Sequence, residues 1–345
     1  MRCNLWLVLL VLACAFCVSP MAAADPIPGR NVLKFQQKPM INTTIPGPNG
    51  PETFNGHDEL STAWGVPDGL GNFPTHYEGT FMADDFADRF DSPVVHVKWW
   101  GSYLNQPTGT NDRVRRFLIS FEDDVPQTAA NNFSHPGEER FNQIVGLDTD
   151  GVLTPGSGTF TERVVAGSTS IDGPIFEYNA ELHLGKAFRE KANVVYWLKI
   201  VALEEIPTLG LPEDQRLQWG WHNRDYTVPD GLASRPPLLI GPGPGEHNAG
   251  PIPGTDVPVW HFQDDAVSGH VIVDIDAAMP IMPRVDQPLA SFVPQRYLPP
   301  HDGPSPIANF SKDLAFELYT VPEPGAAVLS MIALMVGSLA ARRRT

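Results

Sequence analysis

The chain has 345 residues, with 40 acids against 24 bases and a net charge of −16. That balance argues against nucleic acid or anionic lipid as a partner and leaves solubility, or the collection of divalent cations, as what the charge can serve. Proline, at 35 residues, is about twice its usual share, which excludes a fold built on long helices.

The first segment reads as a secretory signal. Arg2 gives a positive opening, residues 5–18 are almost wholly apolar, and Ala22-Ala23-Ala24 precedes Asp25. This is the order of a signal peptide cut by signal peptidase, with Ala22 and Ala24 in the small-residue cleavage box and the cut after Ala24. An uncleaved anchor, or a lipoprotein box at Val11-Leu12-Ala13-Cys14, are the alternatives. All three cysteines, Cys3, Cys14 and Cys17, lie in this segment. The remainder can form no disulfide and offers no thiolate ligand or nucleophile. Without Arg2, Glu323 and the three terminal arginines, residues 25–320 hold 39 acids and 20 bases.

After a linker over 25–33, the body at 34–320 reads as strands. Residues 94–100 place Val95, Val97 and Trp99 on one face, and 114–121 group Phe117, Ile119 and Phe121. Residues 193–203 form a continuous apolar run, expected to be buried on both faces. Residues 217–221 set Trp219 and Trp221 on one side. Residues 257–262, 271–273 and 314–319 follow. Stretches 45–51, 241–258 and 279–306, rich in proline and glycine, read as surface loops, and Asp84-Asp85 and 148–151 as turns. The helical candidates, such as 138–144, are short. Together these predict an all-β fold, a single large sandwich or jelly roll.

The last segment, 321–345, holds Pro322-Glu323-Pro324, then 17 uncharged residues, 325–341, then Arg342, Arg343 and Arg344. As a helix the apolar part would reach about 25 Å at roughly 1.5 Å per residue, against a hydrocarbon core of about 30 Å, so it can span with some bilayer thinning. The arginines resist translocation and hold the end in the cytoplasm.

This tail resembles the PEP-CTERM sorting signal. The resemblance implies a membrane cysteine protease, the exosortase, that recognises Pro-Glu-Pro and releases the protein from a transient anchor in a Gram-negative-type bacterium with an extracellular polymer matrix. The body also resembles an uncharacterised domain recurrent in exported bacterial proteins. The residues that carry this are 81–86 (FMADDF), 99–103 (WWGSY), 117–121, 133–137 (FSHPG), 196–200 (YWLKI), 219–221 (WGW), 264–267 and 314–319. The resemblance brings no catalytic residues with it.

The chemistry is sparse. Carboxylates at 122–124, 204–205, Asp84-Asp85 and Asp264-Asp265 could contribute to a glycosidase pair, but adjacent strand residues face opposite ways, so no doublet supplies it alone. Asp148-x-Asp150-Gly151 lacks the later ligands of an EF-hand, with Val152 and Thr159 where donors are needed. A structural calcium held by Asp84, Asp85, Asp148, Asp150, Asp264 or Asp265 is the one metal expectation. Trp100, Trp219 and Trp221 are candidates for stacking on a sugar ring. The expected function is a non-catalytic exported protein of the surface or matrix, structural or associating with extracellular polysaccharide. The rival is a secreted polysaccharide hydrolase using a carboxylate pair.

Overall fold

The computed structural model describes residues 32–47, 50–66, 75–105, 113–126, 133–149, 158–170, 173–183, 187–204, 216–225, 228, 266–275, 283–294 and 313–321. The leader 1–24, the stretch 241–258 and the tail 322–345 lie outside them. Among the described residues no helix is long and apolar enough to cross a membrane.

The chain opens with β1 (Val32–Gln37), which begins inside the expected linker. A separate hairpin follows, β2 (Thr43–Gly47) and β3 (Gly50–Phe54), so the stretch 45–51 is not a bare loop but a two-stranded ladder with Pro46 opposite Pro51. Next come β4 (Asp58–Leu60), β5 (Thr62–Gly65), β6 (His76–Phe86), β7 (His96–Asn105), β8 (Arg116–Val125) and β9 (His135–Leu147). Then follow β10 (Thr159–Thr169), β11 (Pro174–Glu181), β12 (Tyr196–Glu204) and β13 (Gln218–His222). β14 (Val267–Asp274), β15 (Arg284–Asp286), a 3-10 turn at Leu289–Ser291, β16 (Val293–Pro294) and β17 (Phe316–Thr320) end the order.

All strands except the hairpin join one 15-stranded sheet. The backbone ladder runs β7, β11, β10, β9, β8, β12, and returns to β7 through Ser61. The Ser61 N–H donates to the Trp219 carbonyl of β13 at 3.1 Å, while the Ser61 carbonyl accepts from Ala202 of β12 at 2.9 Å. β13 in turn pairs with β7. The sheet therefore folds across itself, and its inner face is one cluster of aromatic and aliphatic side chains. Phe117 of β8 sits 4.9–5.2 Å from the rings of Trp99, Phe160, Tyr178 and Trp219, mostly edge to face, the arrangement aromatic quadrupoles favour.

β12 explains itself from its sequence. Every residue is buried, because β8 lies along one edge while β6 and β5 share the other. Leu198, Ile200 and Ala202 enter the inner core, whereas Trp197, Val201 and Leu203 join a second cluster on the outer face with Phe81, Val271 and Phe292. β14 alternates strictly between buried and half-buried positions, as a strand with one covered face must.

Two expectations are corrected. Residues 138–144 are not helical; they belong to β9, paired along β8, with Phe141 and Val145 in the inner core. Asp84-Asp85 is not a turn; both lie inside β6 opposite Leu198 and Trp197 of β12.

Phe117→Ala should cost about 3–5 kcal/mol, because a fully buried ring with four aromatic neighbours leaves a cavity that rigid strands cannot close. Urea unfolding measures this, and a loss below about 1 kcal/mol would contradict the packing described.

Candidate functional site

The three tryptophans proposed for sugar contact are corrected by their burial. Trp219 and Trp221 are 0% exposed and Trp100 is 6% exposed. The Trp219 indole N–H donates to the Tyr178 hydroxyl at 3.1 Å and that of Trp221 to the Ala315 carbonyl at 2.9 Å. Trp100 does face away from Trp99, as alternation requires, but Ile175 and Ala315 cover it. No ring of the three presents a face on which a sugar could stack.

Of the proposed calcium ligands, Asp84, Asp85 and Asp148 are the ones among the described residues, and these three do not form a metal-holding group. The Asp84 carboxylate accepts from the Leu314 N–H at 2.7 Å, and burial, with Asp313 adding, pushes its pKa well above the usual range. Its neighbour Asp85 lies on the outer face. Asp148 is half-buried at the end of β9, while Asp150, Asp264 and Asp265 fall outside the described residues. Among the described residues no group of three or more His, Cys, Asp or Glu is placed to hold a metal.

Among the described residues, a dense group of charged and amide side chains lies on the outer face of β12, at a place no sequence motif marks. Lys199, between Trp197 and Val201, is 0% exposed. Its ammonium meets Glu122 of β8 and the Gln287 side-chain oxygen, and stands 4.7 Å from the centre of the Phe81 ring. Glu122, also 0% exposed, is enclosed. Its Oε1 takes Lys199 and the Ser120 hydroxyl at 3.0 Å, and its Oε2 accepts from the Gln287 amide Nε2 at 2.5 Å. Gln287 arrives just after β15, on a strap formed by residues 283–294. Phe292 on the same segment packs edge-on against Phe81 at 5.5 Å and His135 at 5.3 Å.

Glu139 of β9 stands directly opposite Glu122, at a bulge in the ladder. It accepts from Asn142 Nδ2 at 2.6 Å, and Asn142 also donates to the Pro283 carbonyl at 2.8 Å, so the strap is tied here as well. Burial raises the Glu139 pKa from 4.5 to about 7; Lys199 opposes the rise, Glu122 adds to it and Asn142 opposes it. Two facing carboxyls are the raw material of acid–base chemistry. Here, however, Glu122 is sealed beneath Gln287, so the pair does not open on a cleft.

A second buried cation lies near the first strand. Lys34 of β1 meets Glu190, stands 3.4 Å from Asp88 and donates to the Ser92 carbonyl at 2.7 Å. Burial holds the Glu190 carboxyl well above its usual range; Lys34 opposes this and Asp88 adds to it. A third pair, Arg224 and Asp313 at 3.1 Å, is 2% and 3% exposed. A lysine inside an apolar run was the available sequence signal for Lys199, since a buried ammonium demands a partner. Nothing local marked the partner, which lies 77 or 88 residues away.

The chain belongs to a family described as a domain of unknown function, DUF7901, whose model matches residues 33–235. The match spans β1 to β13, whereas the sheet is completed by β14 to β17. No curated protein and no solved structure matches the chain.

Glu139 sets a pH dependence. Its folded pKa lies above the unfolded value, so the folded state binds its proton more tightly. Stability from this group is full below about pH 4.5 and is lost as pH rises through about 7. Between pH 5 and 8 the wild type should lose about 1 kcal/mol more than Glu139→Gln, a figure reduced for the solvent at its exposed side. Urea titrations at the two pH values test this; equal losses in both proteins would contradict it.

Proposed function

We propose that this chain is an exported, non-catalytic protein of the cell surface or extracellular matrix, built on a β-sandwich and sorted by its tail. In this reading signal peptidase removes residues 1–24. The segment 325–341 then anchors the body outside the membrane, with Arg342, Arg343 and Arg344 on the cytoplasmic side. An exosortase-type protease acts at Pro322-Glu323-Pro324 and frees the body.

One observation carries the reading. Val32 of β1 pairs with Thr320 of β17, so the chain enters and leaves the domain at one point. Adjacent ends let the chain enter and leave the domain on one side, which suits a body first threaded through a membrane and then held against it by its tail. Pro322 follows two residues after the last strand residue. Proline lacks the N–H that a ladder needs, which suits a segment that a protease must read.

A structural role is favoured over glycan association, since the three indoles proposed for sugar contact are internal. The hydrolase reading has less support, because both oxygens of Glu122 are engaged by neighbours.

Replacement of Pro322-Glu323-Pro324 by three alanines tests the proposal in a bacterium that carries a matching sorting protease. The wild type should appear outside the inner membrane, shortened at its C-terminus, while the variant should stay at the membrane at full C-terminal length. Equal release of both, or unprocessed wild type in the cytosol, would contradict the proposal.

A further inference from the structure

We propose that Lys199 and Gln287 are joined by a side-chain amide bond that the folded protein makes itself, with Glu122 as the proton shuttle. Such a bond is independent of export and of the sorting tail. Forming such a bond needs three things: an amine shielded from water, a carboxamide held against it, and one carboxyl that reaches both. The outer face of β12 supplies all three. The Lys199 ammonium meets the Gln287 carbonyl oxygen, and Glu122 accepts from Lys199 with Oε1 and from the Gln287 Nε2 with Oε2, at 2.5 Å for the latter. The same carboxyl is thus bonded to the attacking nitrogen and to the leaving one.

The step balances without any co-reactant. Lys199 gives a proton to Glu122, and its neutral amine attacks Cδ of Gln287. A C–N bond forms from Nζ to Cδ, giving a tetrahedral centre. Glu122 passes a proton to the departing Nε2 and takes one from Nζ. The Cδ–Nε2 bond breaks and ammonia leaves. Because Glu122 meets both nitrogens, one group can take the proton that Lys199 gives up and deliver it to the leaving nitrogen. Phe81 walls the Lys199 side of the site and Phe292 backs Phe81, and Lys199 is fully buried, which keeps bulk water from the attacking nitrogen. Positioning within a folded core supplies the effective concentration that free amines and amides lack. The product would fasten the strap, 88 residues distant in sequence, to the central strand. Residues 25–345 contain no cysteine, so the bond would do what a disulfide does elsewhere.

A different observation points to the same chemistry at Lys34. Its amine meets the Glu190 carboxyl, with Asp88 beside both. Attack of Nζ on Cδ of Glu190, with Asp88 carrying the proton, would form an amide and expel water. That bond would lock β1, an edge strand of the sheet, to the segment before β12.

Peptide mass spectrometry of the purified, folded full chain tests both. Trypsin cannot cut after a lysine whose amine is acylated. Digests of the wild type should contain a branched peptide joining Lys199 to Gln287, lighter than its two parts by one ammonia, and another joining Lys34 to Glu190, lighter by one water. Efficient cleavage after Lys199 with a linear peptide holding Gln287 would overturn the first bond; the same result at Lys34 and Glu190 would overturn the second. Gln287→Ala removes a half-buried side chain and should restore cleavage after Lys199, with a fall in Tm of about 10 °C on the scale of a long cross-linked loop. Glu122→Gln should leave both partners present yet uncoupled; a branched peptide in that variant would overturn the role given to Glu122.

Discussion

A charge taken out of water must be met by an opposite charge or the fold loses more than it gains, and this domain is organised around that constraint. Lys34, Lys199 and Arg224 are all within 2% of complete burial, and each meets an acid that is itself buried. Breaking one such pair by removing a single partner costs about 3–5 kcal/mol, a large share of a domain's stability. The pairs also join parts of the chain far apart in sequence: β12 with β8, β13's exit with the lead into β17, and β1 with the segment before β12. A body without cysteine therefore has long-range fasteners made of side chains that ordinarily sit on the surface.

These fasteners matter for what the ends of the domain do. β17 lies between β1 and β7, held on both edges. Residues 316–319 are thereby paired along both edges. β1 has only one neighbour, and Lys34 compensates by tying it inward. The strap that carries Gln287 and Phe292 closes the outer face in the same manner, covering Phe81 and the charged pair beneath it.

Much of the architecture was legible in the sequence. Where apolar residues alternate or run unbroken, as in β7, β8, β12, β13, β14 and β17, the strand could be read directly. β10 could not: its Thr-Phe-Thr-Glu-Arg start mixes polar residues on both faces, because only two of its residues pair with β9. Asp84-Asp85 read as a turn since aspartate is scarce in strands; the Leu314 N–H that Asp84 accepts from lies 230 residues away. The tryptophans show the same boundary. Alternation fixes that Trp99 and Trp100 face opposite sides, but not that Ile175 and Ala315 roof the second side. The charged cluster at Lys199 was half visible, as a lysine in an apolar run, and its acid and amide partners were settled only by tertiary pairing.

The central claim is that the lysines at positions 34 and 199 are withdrawn from solvent while others remain at the surface. Brief treatment of the native protein with an amine-acetylating reagent, followed by mapping of modified lysines, measures this directly. Lys38 and Lys191, both exposed, should be acetylated rapidly, and Lys34 and Lys199 should carry no acetyl group in the native protein. Acetylation of Lys34 and Lys199 at the rate of Lys38 would contradict the account.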